Sequence, residues 1–419
     1  MIDIKKREDC CGCSACKFAC PKECITLVED NEGFLYPEIN QDVCIGCNKC
    51  IIVCPVLNST HDAASDGSDY NKEYYTKLKT DENKDPIKVY AAFNLDKSVR
   101  EASTSGGVFS ALANYVIKHN GIVYGATLNE QFQVVHVGVK KKEELSKFRG
   151  SKYVQSNPGN TYKQIKYHLN KGIQVLYSGT PCQIEGLKSF LGKDYQNLLT
   201  VDIFCHGVGS PKYWNKYIHF MEDKYKSKIK MIQFREKTYG YNSACMAVYF
   251  KNGKVSRKDH DSDLYWTAFS KCFIFRPSCY SCKFKTIHHT SDFSIGDYWG
   301  ASELGDEYKK ADGCTLLLVH TELGQNILKD MKHDLCLQEL DLYDALVVNG
   351  GHMPSKLISS SSKPNNRDSF FSDMDKMSVP QLINQYMPLS IPRRIKIIVK
   401  PFLHKTGLLE KMKRGIIHG

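Results

Sequence analysis

Cys10-Cys11-Gly12-Cys13-Ser14-Ala15-Cys16-Lys17-Phe18-Ala19-Cys20-Pro21 opens the decisive stretch, and Cys44-Ile45-Gly46-Cys47-Asn48-Lys49-Cys50-Ile51-Ile52-Val53-Cys54-Pro55 repeats its spacing without deviation. Both runs read C-x2-C-x2-C-x3-C-P. The three closely spaced cysteines offer thiolates to one 4Fe-4S cubane, while the fourth, one helical turn on, faces the neighbouring one. One cluster therefore draws on Cys10, Cys13, Cys16 and Cys54, the other on Cys44, Cys47, Cys50 and Cys20. Pro21 and Pro55 redirect the chain after each turn. Gly12, Ser14, Ala15 and Gly46 let backbone amides approach the cluster sulfurs. A zinc module does not use such a run twice. Cys11 and Cys24 fall outside the pattern and read as small buried hydrophobes. The expectation is a two-cluster α+β ferredoxin domain over residues 1–58, a one-electron wire that does no bond chemistry alone.

The remaining chain must explain where the electrons go. The sequence has 419 residues, enough for two or three domains, and 18 cysteines. The N-terminus lacks the apolar segment of a secretory signal, and no apolar run approaches the ~18 residues of a membrane span. A cytoplasmic protein is expected, in which so many cysteines point to metal or redox chemistry rather than disulfides. The net charge of +11 is unevenly spread: residues 391–419 hold 8 Lys and Arg against Glu410 alone. No recognition motif accompanies it, so no nucleic-acid partner is expected.

Residues 59–86 are polar and read as a linker. From 87 to 358 the pattern is α/β. Strands are expected at 88–93, 122–127, 134–139, 173–177, 198–204 and 316–320, with helices after Gly107, up to Leu191 and up to about Met331. A hairpin is expected around 251–254. Strands alternating with helices predict a mainly parallel sheet. Residues 359–419 read as a flexible segment followed by a basic tail. The tail could lie on a membrane surface or a partner, or dock on its own domain.

Four features of the α/β region carry chemistry. Ser103-Thr104-Ser105-Gly106-Gly107 precedes a helix, as an anion site or an ordinary cap. Cys182 and Cys205 each follow a strand. In a right-handed strand–helix–strand unit both fall at the same carboxyl edge of the sheet, close enough to share one cluster. Cys279-x2-Cys282 reads as a redox pair, half a zinc site or half a cluster site; Cys182 and Cys205 are either packing residues or, with this pair, four thiolates for a third 4Fe-4S cluster, with Cys272 as a competing ligand. Cys245, Cys314 and Cys336 read as core. His206 could donate to a cluster sulfur, protonate a substrate or be structural. His288 and His289 earn no role.

These residues resemble the coenzyme F420 hydrogenase/dehydrogenase beta-subunit family. The likeness spans 88–345 and rests on Ser105-Gly106-Gly107-Val108-Phe109, Arg149-Gly150-Ser151-Lys152-Tyr153, Gly179-Thr180-Pro181-Cys182-Gln183, Cys205-His206-Gly207, Cys279-x2-Cys282 and the ten residues from Ser291 to Gly300. The resemblance implies a flavin domain holding FAD and a cluster on Cys182, Cys205, Cys279 and Cys282. It places Ser105, Gly106 and Gly107 near the FAD pyrophosphate, Ser151, Lys152 and Tyr153 nearby, and Asp297 in the loop beside the cluster. It implies an oxidoreductase passing electrons between the clusters, FAD and a small molecule such as coenzyme F420, with ferredoxin or another subunit as redox partner. No catalytic residue is assigned. The domain layout also looks like that of bacterial members found among polysaccharide-related genes. The competing readings are a non-catalytic electron-transfer subunit of a larger complex and a scaffold with structural clusters.

Overall fold

The computed structural model describes residues 2–59, 86–260, 262–349 and 360–388. The N-terminal unit holds α1 (Ala15–Ala19), the antiparallel pair β1 (Ile25–Glu29) and β2 (Leu35–Ile39), and α2 (Lys49–Ile52). The cysteine repeat is also a backbone repeat. Gly12 and Gly46 have φ of 74° and 65°, and Ser14 and Asn48, at equivalent positions, have 67° and 56°. Left-handed backbone is costly for a residue with a Cβ, so its recurrence at matched positions marks two loops of one shape.

Next come β3 (Lys88–Asn94), α3 (Val108–Lys118), β4 (Ile122–Leu128), β5 (Val134–Val139), α4 (Thr161–Asn170), β6 (Val175–Gly179), α5 (Pro181–Leu191), β7 (Leu198–Ile203) and α6 (Pro211–Tyr225). A three-stranded sheet, β8 (Ile229–Glu236), β9 (Cys245–Phe250) and β10 (Val255–Asp259), precedes α7 (Leu264–Ser270). The chain then returns through β11 (Phe293–Asp297), β12 (Thr315–Val319), α8 (Glu322–Asp330) and β13 (Leu335–Glu339).

The large sheet has the order β13-β3-β12-β11-β7-β6-β4-β5. Its centre, β11-β7-β6-β4, is parallel. Antiparallel strands extend it at both ends: β5 by a tight turn from β4, and β12, β3 and β13 beyond β11. The mainly parallel sheet expected from alternation is thus realised in the middle, where crossover helices cover it. α3 and α8 pack on one face, with Leu112, Val116, Ile327 and Leu328 against Leu176, Val201 and Leu317. α4 and α5 pack near β6 with Tyr162, Ile165 and Leu187, and the N-terminal unit completes that same core through Cys13, Phe18 and Val53.

One expectation is corrected: the flexible segment expected from residue 359 carries, in its described part, α9 (Arg367–Asp373) and α10 (Val379–Tyr386). Phe370, Phe371, Leu382 and Ile383 join the core of α6, α7 and the small sheet. Ser378 caps α10 through a reciprocal capping box with Gln381. Ser378 is thus a helix cap rather than a sign of disorder. Most of the linker and the basic tail lie outside the described residues. No described helix is long and apolar enough to cross a membrane.

Candidate functional site

Cys10, Cys13, Cys16 and Cys54 stand around one cavity, closed by Ile2, Leu27 and Leu35. Cys20, Cys44, Cys47 and Cys50 stand around another, with Ile25, Ile39 and Ile45. These are the crossed sets expected from the spacing. α1 carries Cys16 to one cavity and delivers Cys20, just past its end, to the other. α2 and its end do the same with Cys50 and Cys54. Cys47 is exposed, whereas Cys13, Cys16, Cys50 and Cys54 are buried. Cys24 is more than packing, since its Sγ lies 3.3 Å from that of Cys20.

Cys182, Cys205, Cys279 and Cys282 line a third cavity of about 480 Å³. β6 and β7 are parallel neighbours, with Val175 opposite Leu198 and Gly179 opposite Asp202. Cys182 in the first turn of α5 and Cys205 just past β7 therefore share the carboxyl edge of the sheet. A 3-10 turn, Pro277–Ser281, brings up Cys279 and Cys282. Cys272 does not line this cavity; its Sγ lies 3.7 Å from His206 Nε2. Cys11, read as a simple hydrophobe, lines both this cavity and the first. Burial pushes the Cys205 thiol up to about 12 and that of Cys282 to about 11. Thiols so far from ionisation become ligands only when a metal centre displaces their protons. Among the described residues, no three His, Cys, Asp or Glu side chains close on a point fit for a single ion. The sulfurs ring a volume instead, which suits a cluster.

Residues 204–208 wall this cavity on one side and, on the other, a further cavity of about 280 Å³. His206 faces both, and burial holds it neutral by lowering its pKa to about 4. Ser103, Thr104, Ser105 and Gly107 line the further cavity at the start of α3, together with residues 149–153. Gly107, at φ 83°, is the left-handed N-cap of α3, which leaves the first-turn N–H groups without helical partners. The Ser151 N–H donates to Thr104 Oγ1 at 3.0 Å, joining the two segments. Lys152 Nζ donates to the carbonyls of Lys147, Phe148 and Arg149 at 3.0 to 3.2 Å, and burial lowers its pKa to about 7. Tyr153 is wedged among Phe234, Trp266 and Phe269. Arg149, Lys152 and Arg235 line the cavity against one carboxylate, Asp297. The guanidiniums of Arg149 and Arg235 beside a helix N-terminus suit an anionic ligand such as a pyrophosphate.

Two residues differ from expectation. Gly106 does not line the cavity. A Cβ there would stand 2.4 Å from the Ala92 carbonyl oxygen, so its glycine serves close packing against β3. Asp297 lines the cation-rich cavity, not the thiol-lined one. Arg235, from the small sheet, draws it there with a 2.6 Å bond to Oδ2.

Two histidines carry more than the sequence suggests. His136 lines the cation-rich cavity, and its Nε2–H donates to the Ser178 carbonyl at 3.0 Å. Its buried Nδ1 has no partner among the described residues, and burial lowers its pKa to about 4. His289 lines the third thiol cavity, with Nδ1 3.0 Å from Asp202 Oδ1 and 2.8 Å from Ser294 Oγ. Ser294 Oγ in turn lies 2.8 Å from His320 Nε2.

Comparison with known proteins fits this layout. The N-terminal model of the coenzyme F420 hydrogenase/dehydrogenase beta subunit matches residues 89–161, and the C-terminal model of the same subunit matches 173–344. A 4Fe-4S dicluster domain matches residues 9–58. No curated protein matches the chain. Among solved structures, the xenon-derivatised F420-reducing NiFe hydrogenase complex from Methanosarcina barkeri contains a chain 18% identical, with a TM-score of 0.44. That match covers 69% of this chain and 92% of the other. With both halves matched in order behind the dicluster repeat, the chain belongs to the coenzyme F420 hydrogenase/dehydrogenase beta-subunit family and carries a 4Fe-4S ferredoxin-like domain at its N-terminal end.

Proposed function

We propose that this chain is an iron–sulfur flavoprotein oxidoreductase. Three 4Fe-4S clusters, on Cys20/Cys44/Cys47/Cys50, Cys10/Cys13/Cys16/Cys54 and Cys182/Cys205/Cys279/Cys282, form a wire to an FAD in the cation-rich cavity. The observation that carries this reading is the shared walls. Cys11 and Val56 line both the first and third thiol cavities, and residues 204–208 separate the third from the cation-rich one. Ser105, Gly107, Ser151, Lys152 and Tyr153 hold the flavin, with Arg149 and Arg235 opposing its phosphates. When bound, the flavin exchanges single electrons with clusters and electron pairs with an organic substrate. The protein's own part is to space the centres, exclude water and keep His136 and His206 neutral at the flavin's side. The substrate is a small organic donor or acceptor, coenzyme F420 among the candidates. The exposed end at Cys47 is flanked by Ile45 and Ile52, 60% and 68% exposed, and suits a redox-protein partner.

Anaerobic reconstitution tests the reading. One FAD and about twelve irons, four per cubane, are expected. About eight irons without flavin overturns the third cluster and the flavin and leaves the ferredoxin domain intact. Reoxidation of the reduced protein by a small molecule, with no other protein added, separates an enzyme from an electron-transfer subunit.

A further inference from the structure

Arg276 is a cation with no carboxylate beside it among the described residues. Its residue is 0% exposed. Nε donates to the Cys10 carbonyl at 2.7 Å, Nη1 to Gln155 Oε1 at 2.9 Å, and Nη2 to the Leu35 carbonyl at 3.0 Å and to Cys10 Sγ at 3.4 Å. Its guanidinium also lies over the Tyr36 ring, 4.2 Å from the centroid. Among the described residues no Asp or Glu lies within ion-pairing distance of it. A buried charge is strongly unfavourable unless another charge or a metal centre compensates it. The group it touches with charge to offer is Cys10. Arg276 also belongs to the turn that presents Cys279, whose N–H donates to the Arg276 carbonyl at 2.9 Å. It therefore ties the third thiol set to the first.

Resting on the cluster reading above, we propose that Arg276 is the buried counter-ion of the Cys10/Cys13/Cys16/Cys54 cluster and holds that cluster's reduction potential up. A cubane with four thiolates is anionic and gains a further negative charge on reduction, so a fixed cation donating to a ligand sulfur favours the reduced form. Such a centre keeps an electron on the path between the exposed cluster and the third one.

The test is an EPR-monitored redox titration of reconstituted wild type, Arg276→Gln and Arg276→Lys, with the cluster signal identified by its change in Cys10→Ser. Arg276→Gln should keep the wild-type iron content and shift that one signal to more negative potential, leaving the other two in place. Unmoved signals, or equal movement of all three, overturn the proposal. Arg276→Lys, which keeps the charge, should shift the signal less than Arg276→Gln. If Arg276→Gln fails to fold, Arg276→Met decides, because it fills part of the same space without the charge: a negative shift of the same signal supports the proposal, and no shift overturns it. Failure of the cluster reading looks different, since the wild type then lacks iron or the signals themselves.

Discussion

A methyl group on Gly186 of α5 would stand 2.6 Å from Cys13 Cβ and 2.9 Å from its Sγ. Gly186→Ala should therefore wedge the N-terminal unit away from the large sheet, at a cost of about 1–3 kcal/mol, read as a lower Tm and reduced iron retention. Cys182→Ala should lose about four irons, one cubane's worth, while Cys272→Ala should lose none; iron analysis of the two variants tells them apart. His289 gives a pH prediction. Burial works against its charged form, but Asp202 beside it and Glu185 outweigh this, and its pKa stands above the ordinary value. The folded state then holds the proton more tightly than the unfolded one. Stability from this pair is full below about pH 6.5, the unfolded value, and is lost as pH rises through the raised folded value. Tm measured against pH should fall across that window in wild type and stay flatter in His289→Gln. None of this network was legible in the sequence. Asp202, Ser294 and His320 lie on or just beyond three different strands, and only the sheet order makes them neighbours. The cysteines could be read because a cubane demands fixed local spacing.

The α9–α10 segment reaches back to the N-terminal unit. Arg367 donates to both Glu32 carboxylate oxygens, at 2.8 and 2.5 Å, with side-chain exposures of only 2% and 7%. Arg367→Ala leaves the buried Glu32 with only the half-exposed Arg7, 3.8 Å away, and should lower stability by up to about 3–5 kcal/mol. Arg367→Met with Glu32→Gln should recover much of that, and a double-mutant cycle on Tm checks it. Elements with a clean period were legible: the alternating strands β3 to β7 and helices α3 and α5 fall close to where the apolar pattern places them. β11 was not recognised as a strand, because Gly296 and Asp297 break its alternation, yet it sits mid-sheet and carries Asp297 to the cavity. β8 and α6 escaped notice for a related reason, since charged residues punctuate both while Trp214, Tyr217 and Phe234 fill the core.

At the scale of the molecule, the dicluster unit is not a carrier on a tether. Phe18 packs between Tyr162 and Phe190, with ring centroids 5.2 and 6.1 Å away. Each such aromatic pair adds about 0.5–1.5 kcal/mol beyond its buried area. The sequence identified the unit but not its docking, since an interface made of Cys13, Gly186 and scattered aromatics has no period. Exposure differs between the two thiol sets of this unit. In one, Cys47 is open to solvent and Cys20 and Cys44 are half-buried; in the other, Cys13, Cys16 and Cys54 are buried and Cys10 is half-buried. That difference sets an order of wear. In air, dissolved oxygen meets the Cys47 set first, so it should lose its iron before the Cys10 set. Mössbauer or EPR spectra taken during brief aeration should show the one signal decay while that of the Cys10 set persists. On the proposed wiring, an oxidatively damaged molecule would then lose its contact with a redox partner before the Cys10 set is touched, and anaerobic repair of a single exposed site would restore it.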